Sequence, residues 1–236
     1  MLALAMCGRY TNTAGIEELS DKFKVPITDP TGTHRYNIAP TEEVLAIVAP
    51  KGEPEARVLR WGLIPPWAHD LKGGAKLINA RIETVARTPA YRGLVPKGSR
   101  RALQVADGYY EWLKPEHRGE QPQPFRFVVD GGAPFAFAAL WTPAKIAGEW
   151  IASVSLLTCR ADANPVAAAI HDRMPVILAD RELQLAWLDP RLGADDVLAL
   201  CAPLATGRLS AAPANPAVNR PDPDHEGPQL LAPDPV

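Results

Sequence analysis

Cys7 follows Met6 directly, and this pair carries the most specific chemistry in the sequence. A chain started at Met6 loses that methionine to aminopeptidase, because cysteine is small, and then begins with a 1,2-aminothiol. Such a group condenses with an aldehyde through its amine, and the neighbouring sulfur closes a five-membered thiazolidine ring. An α-amino group titrates at ~7.7–8.0 against ~10.4 for lysine, so at neutral pH its reactive free-base fraction is larger by roughly several hundredfold. A lysine needs deep burial to compete. The bland alternative is that Cys7 is a small buried hydrophobe in a strand.

The elements that must hold such a residue read as short and mostly extended. Ile16, Leu19 and Phe23 recur on one face of a helix that Thr13 is placed to cap and Pro26 to stop. Strands are predicted at 44–48, 56–61, 102–106, 109–113, 125–129, 135–140, 150–158 and 175–179, separated by Gly, Pro and Asp. Helices are predicted at 181–188, opened by Asp180 and closed by Asp189-Pro190, and at 194–204, where Val197, Leu198, Cys201 and Leu204 repeat. Strands that do not alternate with regular helices argue against a doubly wound parallel sheet. The expectation is a single α+β domain with a mixed or antiparallel, barrel-like β core and short helices. From Gly207 onward frequent proline argues against regular elements, and the last dozen residues read as partly disordered. The division expected is 1–6 as a leader or mis-assigned start, 7–220 as the domain, and 221–236 as a Pro-rich tail.

Composition narrows the function classes. With 236 residues and 47% hydrophobic content, the chain can bury one substantial core. No apolar run is long enough for a membrane span, and the opening residues lack a basic start and the length of a signal peptide. A cytoplasmic protein is expected, without membrane association. The three cysteines, Cys7, Cys159 and Cys201, are far apart, and the five histidines include no HExxH arrangement. No metal and no cofactor are expected. The net charge of −2 hides a segregation: residues 51–101 hold 11 Lys/Arg against 4 Asp/Glu, a surplus of seven, leaving −9 for the remainder. A basic face attracts phosphate; a solvated face with no partner is the other reading.

Six strings follow in order: Cys7-Gly8-Arg9-Tyr10, Tyr36-Asn37-Ile38-Ala39-Pro40, Trp61-Gly62-Leu63-Ile64-Pro65-Pro66-Trp67, Ile78-Asn79-Ala80-Arg81-Ile82-Glu83-Thr84, Ala106-Asp107-Gly108-Tyr109-Tyr110-Glu111-Trp112 and Ile170-His171-Asp172-Arg173-Met174-Pro175. Together they closely resemble the SOS-response-associated peptidase family, also called abasic-site processing proteins, from Cys7 to about Asn219. The resemblance implies a protein that recognises abasic sites in single-stranded DNA near replication forks and seals them as a covalent protein–DNA crosslink. It implies Cys7 as the attacking residue, Asn79 as a group that positions the amino terminus and the opened sugar, Glu111 as the acid/base carboxylate, and His171 as the motif histidine.

The implied roles suit the residue types. Imine formation removes a proton from the amine and delivers one to the departing hydroxyl, a shuttle for a carboxylate between Tyr110 and Trp112 whose pKa burial raises. His171 titrates near neutrality and can donate to the sugar oxygen. Taken alone, Glu111 reads equally as a strand carboxylate or ion-pair partner, and His171 with Asp172 and Arg173 as a structural turn. Arg9, Arg81 and Asn37 are candidates for phosphate and sugar contacts, with Trp61 and Trp67 as stacking or wedging rings of which one is expected to be structural.

One departure lies at the front, where Met1–Met6 precede Cys7. With them retained, Cys7 has no amine and no thiazolidine forms. A start codon assigned too early, ordinary processing and self-cleavage before Cys7 are the explanations. Self-cleavage underlies a second reading, a thiol autopeptidase with Cys7 as nucleophile and His171 or Glu111 as base. A noncovalent single-strand-binding module is the third. A monomer is expected.

Overall fold

The computed structural model describes residues 7–115, 117, 119–220 and 226–232. The expectations placed on residues 1–6, 221–225 and 233–236 lie outside them. The strands are β1 (Arg9–Asn12), β2 (Arg35–Ile38), β3 (Glu43–Val48), β4 (Glu55–Trp61), β5 (Asn79–Arg81), β6 (Arg101–Ala106), β7 (Gly108–Leu113), β8 (Gln123–Val129), β9 (Phe135–Ile146), β10 (Glu149–Arg160), β11 (Arg173–Pro175), β12 (Ile177–Leu178) and β13 (Leu209–Pro213). The helices are α1 (Ile16–Phe23), α2 (Ile82–Val85), α3 (Pro165–Ala168), α4 (Arg181–Leu188) and α5 (Ala194–Ala199).

Five strands close into a ring. β3 pairs antiparallel with β4 and β6, β6 with β9 and β9 with β10, and a parallel β4–β10 pairing completes the circuit. Closure leaves these strands no free edge. Because strand side chains alternate, the outer face is fixed by α4: Arg101 lies over the Trp187 ring of that helix at 6.0 Å, so Arg101, Leu103 and Val105 point outward. Cross-strand register then places Ala46, Arg57, Trp61, Ala102, Gln104, Phe137, Ala139, Trp141 and Val154 inside. Alanines at facing positions leave room for the rings.

A second, wholly antiparallel sheet, ordered β13-β8-β7-β1-β2, covers one end of this barrel. Its Tyr10 meets Trp61 at 5.2 Å and Phe137 at 5.7 Å, both edge to face, and its Tyr109 stacks on Phe127 and meets Phe137 edge to face. Burial of these rings welds the two sheets into one core. The chain crosses between sheets at Asp107, which accepts from the Thr11 hydroxyl and from the Thr13 amide and hydroxyl. Gly108 follows, where a Cβ would stand 2.8 Å from Thr11 Oγ1 and 2.9 Å from the Phe127 carbonyl oxygen, so only glycine permits this approach.

The eight predicted strands and helix 181–188 are present, with β9 and β10 longer than expected. The strand expected at 175–179 is split, because Val176 donates to Leu157 O while Ile177 and Leu178 pair with β9. Thr13 does not cap α1; Gly15 occupies the N-cap and Thr13 binds Asp107 instead. The helix expected at 194–204 stops at Ala199. One expectation for the C-terminal region, the absence of regular elements after Gly207, is corrected. β13 forms despite the surrounding prolines, since β8 offers it an edge, and Pro213 sits at its end, where a missing N–H is tolerated. Residues 226–232 pack on the body: Glu226 accepts from the amides of Tyr36 and Asn37 and from Arg35 Nε, and Leu230 is buried with Tyr110, Trp112, Ala214 and Val218.

Candidate active site

Cys7 lies two residues before the start of β1 and is fully buried, with a left-handed φ of 43°. β7 runs antiparallel beside β1, Arg9 opposite Tyr110. That register brings Glu111 level with the start of β1, and the Cys7 backbone nitrogen donates to Glu111 Oε1 at 2.6 Å. The carboxylate is 3% exposed. On β7 the side chains of Tyr109 and Glu111 share the face toward the barrel, while Tyr110 and Trp112 face away and pack under the C-terminal segment. The sequence neighbours Tyr110 and Trp112 therefore do not flank the carboxylate; Cys7 and Tyr109 do.

Burial sets the electrostatics. Loss of water pushes the Glu111 carboxyl up to about 8, opposed by the Cys7 N–H and reinforced by the negative charge of Asp172. Burial raises the Cys7 thiol well above its usual range, with Glu111 adding to it. The Tyr109 phenol is raised by burial and then by Cys7, Glu111 and Cys159. A thiol, a carboxyl and a phenol thus share one dry space, and the carboxyl is the group able to change protonation near neutral pH.

His171 arrives from the segment between α3 and β11. Asn164 caps α3 by accepting from the Ala167 N–H, and His171 N donates to Ala167 O. Its ring is partly buried, and burial lowers its pKa, with Asp172 opposing, Lys114 assisting, and Arg173 acting both ways, its backbone contact raising and its charge lowering the value. Nδ1 accepts from the Arg173 N–H at 3.1 Å and lies 3.0 Å from Asp172 Oδ1. In the neutral ring the Arg173 contact fixes Nδ1 as acceptor and leaves the proton on Nε2; the Asp172 contact becomes an ion pair only on protonation. Asp172 acts electrostatically on both Glu111 and His171, which joins β7 to this segment.

Asn79 opens β5, which pairs parallel with Leu156–Thr158 of β10, and Ala80 is buried beneath it. Arg173 pairs with Arg160 on the adjoining stretch of the same strand. Its guanidinium grips both oxygens of Glu83 at 2.9 Å and also donates to Thr158 O. The INARIET and HDRMP strings are therefore one physical unit at one end of β10. Trp61 supports it from inside, its indole donating to Ile78 O at 3.1 Å.

The structure does not gather every nucleic-acid candidate. Trp61 is fully buried in the barrel. Asn37 is 2% exposed, and its amide donates to Val218 O and Arg220 O, so it holds the C-terminal segment. Trp67 is 58% exposed, within the Pro65–Ala68 turn. Arg81 is exposed beside Asn79. Arg9 is half-buried, donating to Gly8 O, and burial lowers its pKa against the influence of Glu42. Sequence reasoning gave Asp172 only a structural part and Tyr109 none. A carboxylate adjoining His171 was the available signal for the first; two consecutive tyrosines in a strand, which must face opposite ways, was the signal for the second.

A family profile described as SOS response associated peptidase (SRAP) matches residues 6–221. The chain is 37% identical over 225 residues to the abasic site processing protein YoaM of Bacillus subtilis, covering 92% of this chain and 94% of that protein. It is 34% identical over 232 residues to the abasic site processing protein YoqW of the same organism, covering 96% and 99%. A solved protein from Bacteroides thetaiotaomicron superposes with a TM-score of 0.79 at 21% identity over 96% of this chain and 99% of that one, a likeness of fold.

Proposed function

The chain belongs to the SRAP family, and on that premise we propose that it processes abasic sites by trapping the sugar aldehyde of single-stranded DNA on Cys7 as a thiazolidine. The observation that carries this reading is the 2.6 Å contact between the Cys7 nitrogen and Glu111 Oε1 in a buried space. That nitrogen is the atom that becomes the nucleophilic amine once the residues ahead of Cys7 are absent.

In the proposed reaction the free amine adds to C1′ of the ring-opened sugar, forming a C–N bond as the carbonyl π bond opens, and Glu111 carries the first amine proton to the C1′ oxygen. The same carboxyl then carries the second amine proton to the resulting C1′ hydroxyl, whose C–O bond breaks to release water and give the imine. The Cys7 sulfur then adds to the imine carbon, forming the C–S bond, while its proton passes to the ring nitrogen by way of Glu111. The net change is loss of one water. A carboxyl held near 8 both accepts and returns protons at neutral pH. The thiol stays protonated until the last step, so the amine attacks first. Neutral His171, with its proton on Nε2, donates to the ring oxygen as the closed sugar opens. Asn79 holds the terminus and the opened sugar, Arg9 and Arg81 contact phosphate, and Trp67 stacks beside the missing base. The protein acts at DNA in the cytoplasm or nucleoid, near replication forks, as a monomer.

A second reading rests on the same contact. A thiol autopeptidase would attack the carbonyl before Cys7 with its own sulfur, Glu111 passing the thiol proton to the departing Cys7 nitrogen, and water would then cleave the resulting thioester, releasing the leader as an acid and freeing the aminothiol that the first reading needs. One comparison separates the readings. Protein is mixed with single-stranded DNA that is intact or carries an abasic site, then resolved on denaturing gels beside Cys7→Ala. Capture gives a heat-stable band with abasic DNA alone, absent in Cys7→Ala. A peptidase without capture loses its leader and gives no band, and a plain binding module retards both DNAs in native gels with no covalent product.

A further inference from the structure

We infer that the barrel mouth remote from Cys7 is a second single-stranded DNA contact, formed by Trp150, Lys145, Arg57 and Arg100 around Trp141. The inference rests on the DNA reading above and extends its footprint.

β9 and β10 outrun the barrel. β9 pairs with β6 only as far as Leu140, and the hairpin beyond it turns at Ala147-Gly148, both with positive φ, as the twist of a two-residue turn demands. On its inward face Trp141, Lys145, Val154 and Trp150 follow one another, Lys145 directly opposite Trp150. Trp141 plugs the mouth, with the Arg57 and Arg100 guanidinium carbons 5.4 and 5.2 Å from its ring centroid. Its indole N–H is buried and has no acceptor among the described residues. Trp150 is 71% exposed, the highest of the large hydrophobic side chains in the described residues.

These groups are donors, positive charges and one bare aromatic face, with Glu55, paired to Arg57, as a carboxylate beside them. Guanidinium and ammonium groups suit phosphate, and an open indole suits an unpaired base, the combination that tracks single strands without reading sequence. Arg57 and Arg100 come from the basic stretch 51–101, whose surplus the Cys7 site does not use up. Trp150 stands nine residues along β10 from Cys159, beside the reactive end. That separation is about 30 Å of strand, or roughly nine nucleotides at stacked spacing. DNA flanking a captured site reaches this mouth only when it is long enough.

The test compares wild type with Trp150→Ala, Lys145→Ala and Trp150→Phe on abasic single strands carrying about 3 or about 16 flanking nucleotides per side. Initial capture rates at limiting protein and noncovalent binding of intact strands across a salt series are measured. Wild type should gain from long flanks; Trp150→Ala should lose at least about fivefold of that gain and Trp150→Phe should restore it. Lys145→Ala should lower the salt slope by about one. Short strands should be captured equally by all four proteins. Equal rates for wild type and Trp150→Ala on long strands overturn the inference. So does loss of self-association in Trp150→Ala with DNA binding unchanged, which would make the mouth a contact between copies of the chain. Failure of wild type to capture either strand instead overturns the reading it rests on.

Discussion

Arg173 and Glu83 face each other through two parallel contacts of 2.9 Å, and this pair ties the segment carrying His171 to the segment carrying Asn79. Arg173 is the more buried partner, at 10% side-chain exposure against 40% for Glu83.

That asymmetry makes the two substitutions unequal. Arg173→Ala leaves Thr158 O without its donor and empties a buried position, and it should cost about 2–4 kcal/mol of unfolding free energy. Glu83→Gln, partly exposed and still able to accept, should cost about 1 kcal/mol or less. Denaturant titration of both variants checks the order; equal losses would show that the ion pair itself, rather than the Arg173 anchor, is what stabilises.

Glu111 should make the fold less stable as pH rises. Its carboxyl binds a proton up to about 8 in the folded chain and only to about 4.5 when unfolded. Between those values the folded state holds more protons, so stability is highest below the unfolded pKa and falls through the window. Glu111→Gln should flatten this dependence, seen as unfolding midpoints at pH 5 and pH 8 that lie closer together than in wild type. It should also slow both formation and reversal of the adduct about a hundredfold, the usual scale of a lost acid/base group.

Asp172→Asn tests the link between the two halves of the site. Asp172 raises the pKa of both Glu111 and His171, so its neutralisation should move both downward. The capture rate plotted against pH should shift toward lower pH without loss of the folded state, since the Asp172 side chain is 79% exposed. An unmoved profile would mean that the charge does not reach the reacting carboxyl.

The two tryptophans of the WGLIPPW string should separate cleanly. Trp61→Ala opens a cavity in the barrel and takes the indole donor from Ile78 O, which keeps the Leu156 N–H, at a cost of about 3–5 kcal/mol. Trp67→Ala should leave the melting temperature unchanged and lower capture of abasic strands severalfold. Thermal melts and gel capture assays on the same preparations distinguish them.

Much of this architecture was legible in the sequence because strands with β-branched and aromatic residues between Gly, Pro and Asp announce themselves locally. Helix 181–188 was equally plain, its ends marked by Asp180 and Asp189-Pro190, although the Asp180 carboxylate accepts from Arg208 rather than from a helix N–H. What stayed hidden depends on distant partners. β13 exists because β8 offers an edge, and residues 226–232 are ordered by Glu226 and Leu230 seats that no local pattern encodes. Side-chain direction was similarly out of reach: Tyr110 and Trp112 flank Glu111 in sequence but face away from it. The motif strings singled out Cys7, Glu111 and His171, whereas the electrostatic influence of Asp172 on Glu111 required the register of β1, β7 and the β11 segment to be known.

The most direct test is the intact mass of the covalent product formed by full-length protein and an abasic single strand, with the crosslinked residue mapped after digestion. The account predicts a protein portion that begins at Cys7, a total equal to protein plus DNA less one water, and a modification confined to Cys7. An adduct on a chain that still carries Met1–Met6, or one mapped to a lysine, would contradict it.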